Sequence, residues 1–242
     1  MTSNNIRYNN ELEYFGEDFT PLSLAKNYYQ WITDEFKPYL GFKVAEVGAG
    51  CGNFSDFLLN VGINQLFTFE PAKNIYPLLE KKYQNNNRVV TINSFFEDKA
   101  SDYYNYFHSV VYVNVLEHIK NDRRELCHAY KTLKKHGYIL IFVPALSWLY
   151  SELDKIAGHY RRYTKKELVK LTVNTGFSIQ RIFYFDIAGI IPWYIAFVLL
   201  KLTTNKTNVS LYERFIVPPM RIIENNIKPP IGKNLLLVGK KK

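Results

Sequence analysis

The sequence predicts an α/β protein: an open, seven-stranded, mostly parallel sheet with helices on both faces. Three observations lead there. From residue 43 onward, short apolar runs alternate with stretches of helical spacing, as parallel strands joined by crossover helices do. Two runs, HSVVYV at 108–113 and YILIFV at 138–143, are apolar at nearly every position, which suits strands buried on both faces. The run KVAEV at 43–47 leads straight into GAGCG, a glycine turn between strand and helix.

Thr20-Pro21 reads as an N-cap followed by proline at the first helical position. Leu24, Tyr28, Trp31, Ile32 and Phe36 recur at helical spacing until Pro38 and Gly41 stop the run. After the strand at 43–47, NFSDFLLNVG (53–62) is a helix ended by Gly62, and QLFTF (65–69) a strand closed by Glu70-Pro71. A helix at 75–83 precedes the strand RVVTI (88–92), and a short helix or loop leads to the strand at 108–113. Leu126, Ala129, Tyr130 and Leu133 mark a helix with Gly137 just past its end, before the strand at 138–143. A long loop follows, ending in GHYRRYT (158–164), then a helix at 165–175 and the strand FSIQRIFYF (177–185). NLLLVGKKK (234–242) is the last strand with a basic tail.

These elements divide the chain into an N-terminal helical segment at 1–40, an α/β core at 41–185 containing the loop 144–164, an apolar helical insertion at 186–233, and the final strand and tail at 234–242. Within the insertion, IAGIIPWYIAFVLLKL (187–202) is the most apolar stretch. Interrupted by Pro192, it falls short of the roughly 20 residues a membrane span needs. It is read as a buried or dimer-forming helix, with contact to a membrane surface as the alternative.

The chain has 242 residues, enough for one full core, with 47% hydrophobic residues and few glycines and prolines, so disorder is excluded. Two cysteines, Cys51 and Cys127, make no disulfide framework, which fits a reducing cytoplasm. The polar start MTSNNIRYNNELEYF lacks the apolar core of a secretion signal, so secretion is not expected. Residues 1–119 carry 9 Lys/Arg against 14 Asp/Glu, and residues 120–242 carry 22 against 8, giving about −5 and +14. Such a second half suits an anionic substrate, an anionic lipid surface or nucleic acid, or else consists of solvated lysines.

The glycine turn carries the first chemical signal. In EVGAGCG (Glu46 to Gly52) three glycines stand at alternate positions after an acid, so a ligand can approach the backbone closely. No P-loop lysine follows, which argues against NTP hydrolysis. Glu70, at the end of the second strand, can accept hydrogen bonds from both hydroxyls of a ribose.

E-x-G-x-G-x-G after the first strand, FEPA after the second and YVNVLEHI after the fourth together resemble class I S-adenosylmethionine-dependent methyltransferases, whose fold is Rossmann-like. The likeness covers about residues 20–185. It implies that the cofactor is S-adenosyl-L-methionine, leaving as S-adenosyl-L-homocysteine. By the resemblance Glu46 faces the methionine amino group, Gly48, Ala49, Gly50, Cys51 and Gly52 pack against the cofactor, and Glu70 with Pro71 holds the ribose. Ser94 and Phe95 match the adenine-contacting position, and Asn114 the cofactor side of the fourth-strand motif. Tyr28, Tyr29 and Trp31 would lie over the cofactor as a lid. A sulfonium methyl is already activated, so the enzyme chiefly positions donor and acceptor and removes an acceptor proton where one must leave.

NVLEHI (114–119) stands where amino methyltransferases of nucleic acids carry D/N-P-P-aromatic, and neither cysteine is placed to attack a cytosine. Nucleic acid is therefore not the expected partner. LEHI resembles small-molecule enzymes, including ubiquinone-biosynthesis O-methyltransferases, in which His118 would take an acceptor proton. Some relatives add an acid at the position of Asn114 and bind a divalent metal with it; with asparagine there, no metal is expected. VPALSWLYSELDKIAGHYRRYTKKEL (143–168) resembles a bacterial subgroup read as acting on sugars, lipid-linked glycans or secondary metabolites.

In the GHYRRYT loop, Thr164 caps the next helix with Glu167 at its third position, an incomplete capping box. Of Arg161 and Arg162, one pairs with an acid such as Asp154 while the other reaches into the cleft. His159 is a second candidate base, and Tyr160 or Tyr163 could stack on a sugar ring or the cofactor. The leading expectation is O-methylation of a small-molecule, sugar or lipid-linked acceptor by a cytoplasmic enzyme, with membrane-surface association and homodimerisation as further readings. A nucleic-acid methyltransferase and a non-catalytic cofactor-binding or interaction protein are the alternatives.

Overall fold

The computed structural model describes residues 25–202 and 206–242. Thr20-Pro21 and Leu24, read above as a helix start, lie outside them. Seven strands form one sheet in the order β3-β2-β1-β4-β5-β7-β6: β1 (Lys43–Val47), β2 (Gln65–Phe69), β3 (Val89–Ile92), β4 (Phe107–Val113), β5 (Leu133–Pro144), β6 (Phe177–Phe185) and β7 (Asn234–Lys241). β1 to β5 run parallel, and β7 is antiparallel to both neighbours. The expected open, mostly parallel sheet is what forms.

Its order reverses between β1 and β4. Chains leave these adjacent strands toward opposite sides, so their carboxyl ends open a crevice. The cores lie on either face. One is built around Phe69, Phe107, Tyr112 and Ile141, the other around Trp31, Leu58, Leu66 and Phe142.

The helices in chain order are α1 (Lys26–Phe36), α2 (Ser55–Asn60), α3 (Tyr76–Tyr83), α4 (Phe96–Lys99), α5 (Asp122–Thr132), α6 (Glu152–Ile156), α7 (Lys165–Asn174), α8 (Ile190–Trp193), α9 (Lys206–Leu211) and α10 (Val217–Asn226). Helix α1 buries Trp31, Ile32 and Phe36; the Trp31 ring lies on Phe185 with centroids 3.8 Å apart. Trp31 is therefore a core residue and not part of a lid, because the period that places it on the apolar face turns it toward β6.

The helix α5 ends earlier than its apolar spacing implies. Leu133 pairs with Phe107 and already belongs to β5, and the register shifts between Phe107 and Ser109. Gly137 lies inside this irregular strand, where a Cβ would come 2.9 Å from both the His108 and Lys134 carbonyl oxygens. It serves a β-bulge, and not a helix end. At the other terminus, the expected basic tail is strand as far as Lys241, whose Nζ donates to the Leu133 carbonyl at 2.7 Å and to Asn105 Oδ1 at 3.0 Å.

The insertion folds as α8, a π-helical run at Tyr194–Leu199, α9, a second π-helical run at Tyr212–Ile216, and α10. Residues 187–202 are not a buried helix. Ile191, Ile195, Leu199 and Leu200 are all exposed. Among the described residues no helix is long and apolar enough to cross a membrane. Asp186 fastens the insertion to the rest. Its carboxylate accepts from the Tyr28 hydroxyl (3.0 Å), the Gly189 amide (3.0 Å), the Tyr212 hydroxyl and Lys233 Nζ (2.9 Å).

Candidate active site

At the end of β1 the chain turns through Gly48, Ala49 and Gly50. The amides of Gly48 and Ala49 donate to the Phe69 carbonyl at 2.8 and 3.1 Å, tying the turn to β2. Gly48 has φ +68°, and a Cβ there would stand 2.6 Å from Val115 Cγ2; only glycine fits. Glu70, just past β2, accepts from the Gly50 amide through Oε2 and from the Ala72 amide through Oε1, both at 2.8 Å. Burial raises its pKa against the pull of these amides. Each oxygen keeps a lone pair for a further donor.

Glu46, on β1, is buried, and Ser55 at the start of α2 donates to its Oε2 at 2.5 Å. Burial pushes its pKa up to about 8, with the Ser55 hydrogen bond and the Lys82 charge opposing. Such an acid is neutral at pH 7 until a cation arrives beside it.

These groups wall one end of a cavity of about 950 Å³, where Gly48, Ala49, Gly50 and Cys51 form the floor and Pro71, Ser94, Phe95 and Asn114 continue the lining. Gly52 does not line it. Its φ is +81°, and a Cβ would meet Tyr83 at 2.7 Å, so this glycine serves the packing of the turn against α3.

The other end of the cavity belongs to the segment after β4 and to the long loop. Glu117, His118, His159, Tyr160 and Arg162 line it. The rings of His118 and His159 stand edge to face with centroids 4.5 Å apart. Burial depresses the His118 pKa to about 3, helped by the nearby His159. His159 Nδ1 lies 2.8 Å from Asp154 Oδ1. Burial works against its charge, but Asp154 and Glu117 raise its pKa overall. Glu117 is wholly buried, which raises its pKa to about 7. Trp193, Phe197 and Tyr212 from the insertion add an apolar wall.

Residues 19–182 match the methyltransferase domain family. The chain belongs to that family. The methyltransferase fold is shared with solved structures at low identity. A S-adenosylmethionine-dependent methyltransferase from Archaeoglobus fulgidus is 18% identical with a TM-score of 0.59, over 93% of this chain and 100% of that one. A 1,6-didemethyltoxoflavin-N1-methyltransferase from Burkholderia thailandensis, solved with 1,6-didemethyltoxoflavin and S-adenosylhomocysteine, is 15% identical with a TM-score of 0.58, over 90% and 78%. A putative methyltransferase from Bacillus halodurans is 18% identical with a TM-score of 0.56, over 82% and 92%. No curated protein matches the chain.

Around the cavity, the GHYRRYT loop is sorted differently from the sequence expectation. Arg162 pairs with Asp154, through Nε to Oδ1 at 2.9 Å and Nη2 to Oδ2 at 3.0 Å. Arg161 does not reach into the cleft. It points outward, ion-paired to Asp122 at 2.5 Å and donating to the Lys120 carbonyl at 2.9 Å. Tyr163 also stays out of the cleft; it is buried, and its hydroxyl donates to Asp122 at 2.9 Å and approaches the Leu116 carbonyl at 3.3 Å. An isolated β-bridge to Ala145 fixes its backbone. Tyr160, 53% exposed, is the aromatic left at the cavity mouth. The capping box is complete: Glu167 accepts from the Thr164 amide at 2.9 Å while the Glu167 amide donates to Thr164 Oγ1 at 3.2 Å.

Of the lid expectation, Tyr28 and Tyr29 line the cavity and Trp31 does not. Two features were not singled out from sequence. Glu117 was visible only as the acid before His118, and the Trp193–Tyr212 wall comes from a segment that carries no motif.

Proposed function

We propose that this methyltransferase uses S-adenosylmethionine to O-methylate an amphiphilic hydroxylated acceptor, a sugar or lipid-linked molecule, at the cytoplasmic face of a membrane. One observation carries the reading: a continuous cavity holds buried carboxylates and the glycine turn at one end and two histidines beside an apolar wall at the other. Glu46 would accept from the methionine ammonium and Glu70 from the ribose hydroxyls, with Ser94 and Phe95 against adenine and Asn114 beside the methionine. The sulfonium methyl then faces His118 and His159, and in-line placement of the acceptor oxygen supplies most of the acceleration. These histidines are the acceptor-activating pair, where the hydroxyl gives up its proton. Tyr160 at the mouth packs on the acceptor, and Arg162 holds Asp154, which orients His159.

The insertion supports an amphiphilic acceptor. Its outward side chains include Ile191, Leu200, Phe215, Ile222 and Ile227, while its acids Glu213 and Glu224 are buried, and Lys201 and Arg214 face solvent. Exposed apolar side chains with Lys201 and Arg214 among them suit an anionic lipid surface.

Calorimetry with S-adenosylhomocysteine tests the cofactor assignment. Binding is expected for the wild type and lost in Gly50→Asp, which sets a carboxylate beside Glu70. Absence of wild-type binding, or equal binding by the variant, overturns it. Transfer of labelled methyl to the lipid-soluble fraction of a cell extract, reduced at least a hundredfold in His118→Ala or His159→Ala, tests the acceptor class; label found only in nucleic acid sinks it.

A further inference from the structure

The stretch that begins the insertion, four α-helical residues (Ile190–Trp193) and six π-helical ones (Tyr194–Leu199), is apolar on two sides. Trp193, Ala196 and Phe197 line the acceptor end of the cavity, with the Trp193 and Phe197 ring centroids 4.7 Å apart. Ile191, Ile195 and Leu199 recur every four residues on the other side and are 69%, 46% and 57% exposed. A helix that is apolar all round is ordinarily buried, in protein or in lipid. Here the protein covers the inner stripe alone, so a single helix separates the cavity from what lies against the outer one.

Charge complementarity says what that is. Residues 187–233 carry six Lys/Arg and two acids, and both acids are turned inward. Glu213 accepts from the Asn27 amide at 2.8 Å, and Glu224 from the Asp186 and Ile187 amides at 3.0 and 2.9 Å. Arg221 and Lys228 pair with Asp34 and Glu35 of α1, and Lys233 with Asp186. Lys201 and Arg214 are exposed and have no ion pair among the described residues. Lys201 follows the outer stripe directly, and the acid whose charge it feels, Glu152, is itself paired with Lys155 at 2.5 Å. Arg214 lies 5.4 Å from the centroid of the exposed Phe215 ring. The exposed Trp148 stands edge-on to Tyr194 at 5.8 Å, and such amphipathic rings sit well at lipid headgroups. Aliphatic side chains, interfacial aromatics and free cations together suit an anionic leaflet. Among the described residues no helix is long and apolar enough to cross a membrane, so the stretch lies along the leaflet.

We propose that this surface docks on an anionic phospholipid leaflet and that the acceptor is a lipid of that leaflet, its hydrocarbon chain entering the cavity beside Trp193 and Phe197. The inference rests on reading the histidine end as the acceptor side, and it selects a bilayer lipid over a water-soluble sugar. A chain so placed stays in apolar surroundings while its hydroxylated head reaches His118 and His159. Both π-helical runs contribute to this wall, through Phe197 and Tyr212, and π-helical turns gather at functional sites.

Docking is read by sedimenting the full chain with vesicles of equimolar phosphatidylglycerol and phosphatidylcholine, and with vesicles of phosphatidylcholine alone. Binding to the first is expected, at least tenfold weaker to the second. It is expected to fall at least tenfold in Ile195→Asp and in the double variant Lys201→Glu, Arg214→Glu, each confirmed as folded by circular dichroism. Wild-type protein left in the supernatant with phosphatidylglycerol overturns the proposal, and so does equal binding by the variants. A wild-type dimer in solution that Ile195→Asp dissociates also overturns it, since the outer stripe then belongs to a second copy. Chain entry is read by calorimetry with dodecyl maltoside below its micelle concentration. One molecule per chain is expected, with the same affinity in Ile195→Asp and at least tenfold less in Phe197→Asp. Maltose alone binding as tightly as the detergent overturns chain entry, whether or not Phe197→Asp folds. Neither measurement needs methyl transfer, so failure of the O-methylation reading and failure of this proposal give different results.

Discussion

Asp154 and Arg162 form a two-point ion pair with side chains that are 0% and 2% exposed. The same carboxylate orients His159, so one acid joins the stability of the long loop to the geometry of the site. Removing one partner of a buried pair leaves the other charged and unpaired, which costs about 3–5 kcal/mol. Asp154→Ala is expected to lose about that much in urea unfolding and to lower methyl transfer as His159 loses its anchor. Substituting Arg161, whose pair with Asp122 is part-exposed, is expected to cost about 1 kcal/mol or less. Equal losses for the two substitutions would contradict the assignment.

Glu46 predicts a pH dependence for cofactor binding. Burial pushes its pKa up to about 8 against Ser55 and Lys82, while Asp56 and Glu70 push in the same direction as burial. Below that pH the free protein holds a proton that an arriving ammonium must displace. Affinity for S-adenosylhomocysteine is therefore expected to rise by up to about tenfold per pH unit toward pH 8 and then flatten, since one unit corresponds to about 1.4 kcal/mol. Binding releases this proton, which calorimetry in buffers of different ionisation enthalpy detects. The sign for stability is opposite: the folded chain retains a proton between the ordinary carboxyl pKa and 8 that the unfolded chain gives up, so this group makes the apo protein less stable as pH rises through that window. Both dependences should be absent from Glu46→Gln.

Gly48 allows a clean steric test. Its positive φ and the 2.6 Å approach of a Cβ to Val115 make even alanine strained there, at about 1–3 kcal/mol. Gly48→Ala should weaken S-adenosylhomocysteine binding at least tenfold, because the turn amides shift with it. Gly62, with φ +88° and nothing within 4 Å of its Cβ, is the control. Gly62→Ala should lower stability by its backbone strain and leave the affinity unchanged.

Much of the site was legible because it lies where strands end. A glycine turn, a following acid and a histidine after β4 need only a strand count to be brought together, since parallel strands deliver their carboxyl ends to one edge. Sequence could not say which arginine of GHYRRYT turns inward. Consecutive loop side chains diverge, and the choice follows from where Asp154 and Asp122 stand once α6 and α5 are packed.

The alternation of apolar runs, the two-sided burial of β4 and β5, the glycine turn and the Thr164 cap are local: each depends on neighbours within a few residues, so the sequence alone determines them. The tertiary structure decides the rest. Pairing with Phe107 draws Leu133 out of the helical pattern, and contact with Phe185 makes Trp31 core. The exposure of the 187–202 segment is settled by Asp186 and Glu224, whose bonds to distant backbone and side chains hold it at the cavity's rim. The convergence of Glu117, His118 and His159 belongs to the same class, because side chains 41 and 42 residues apart meet only when the loop after β5 folds back over the end of β4.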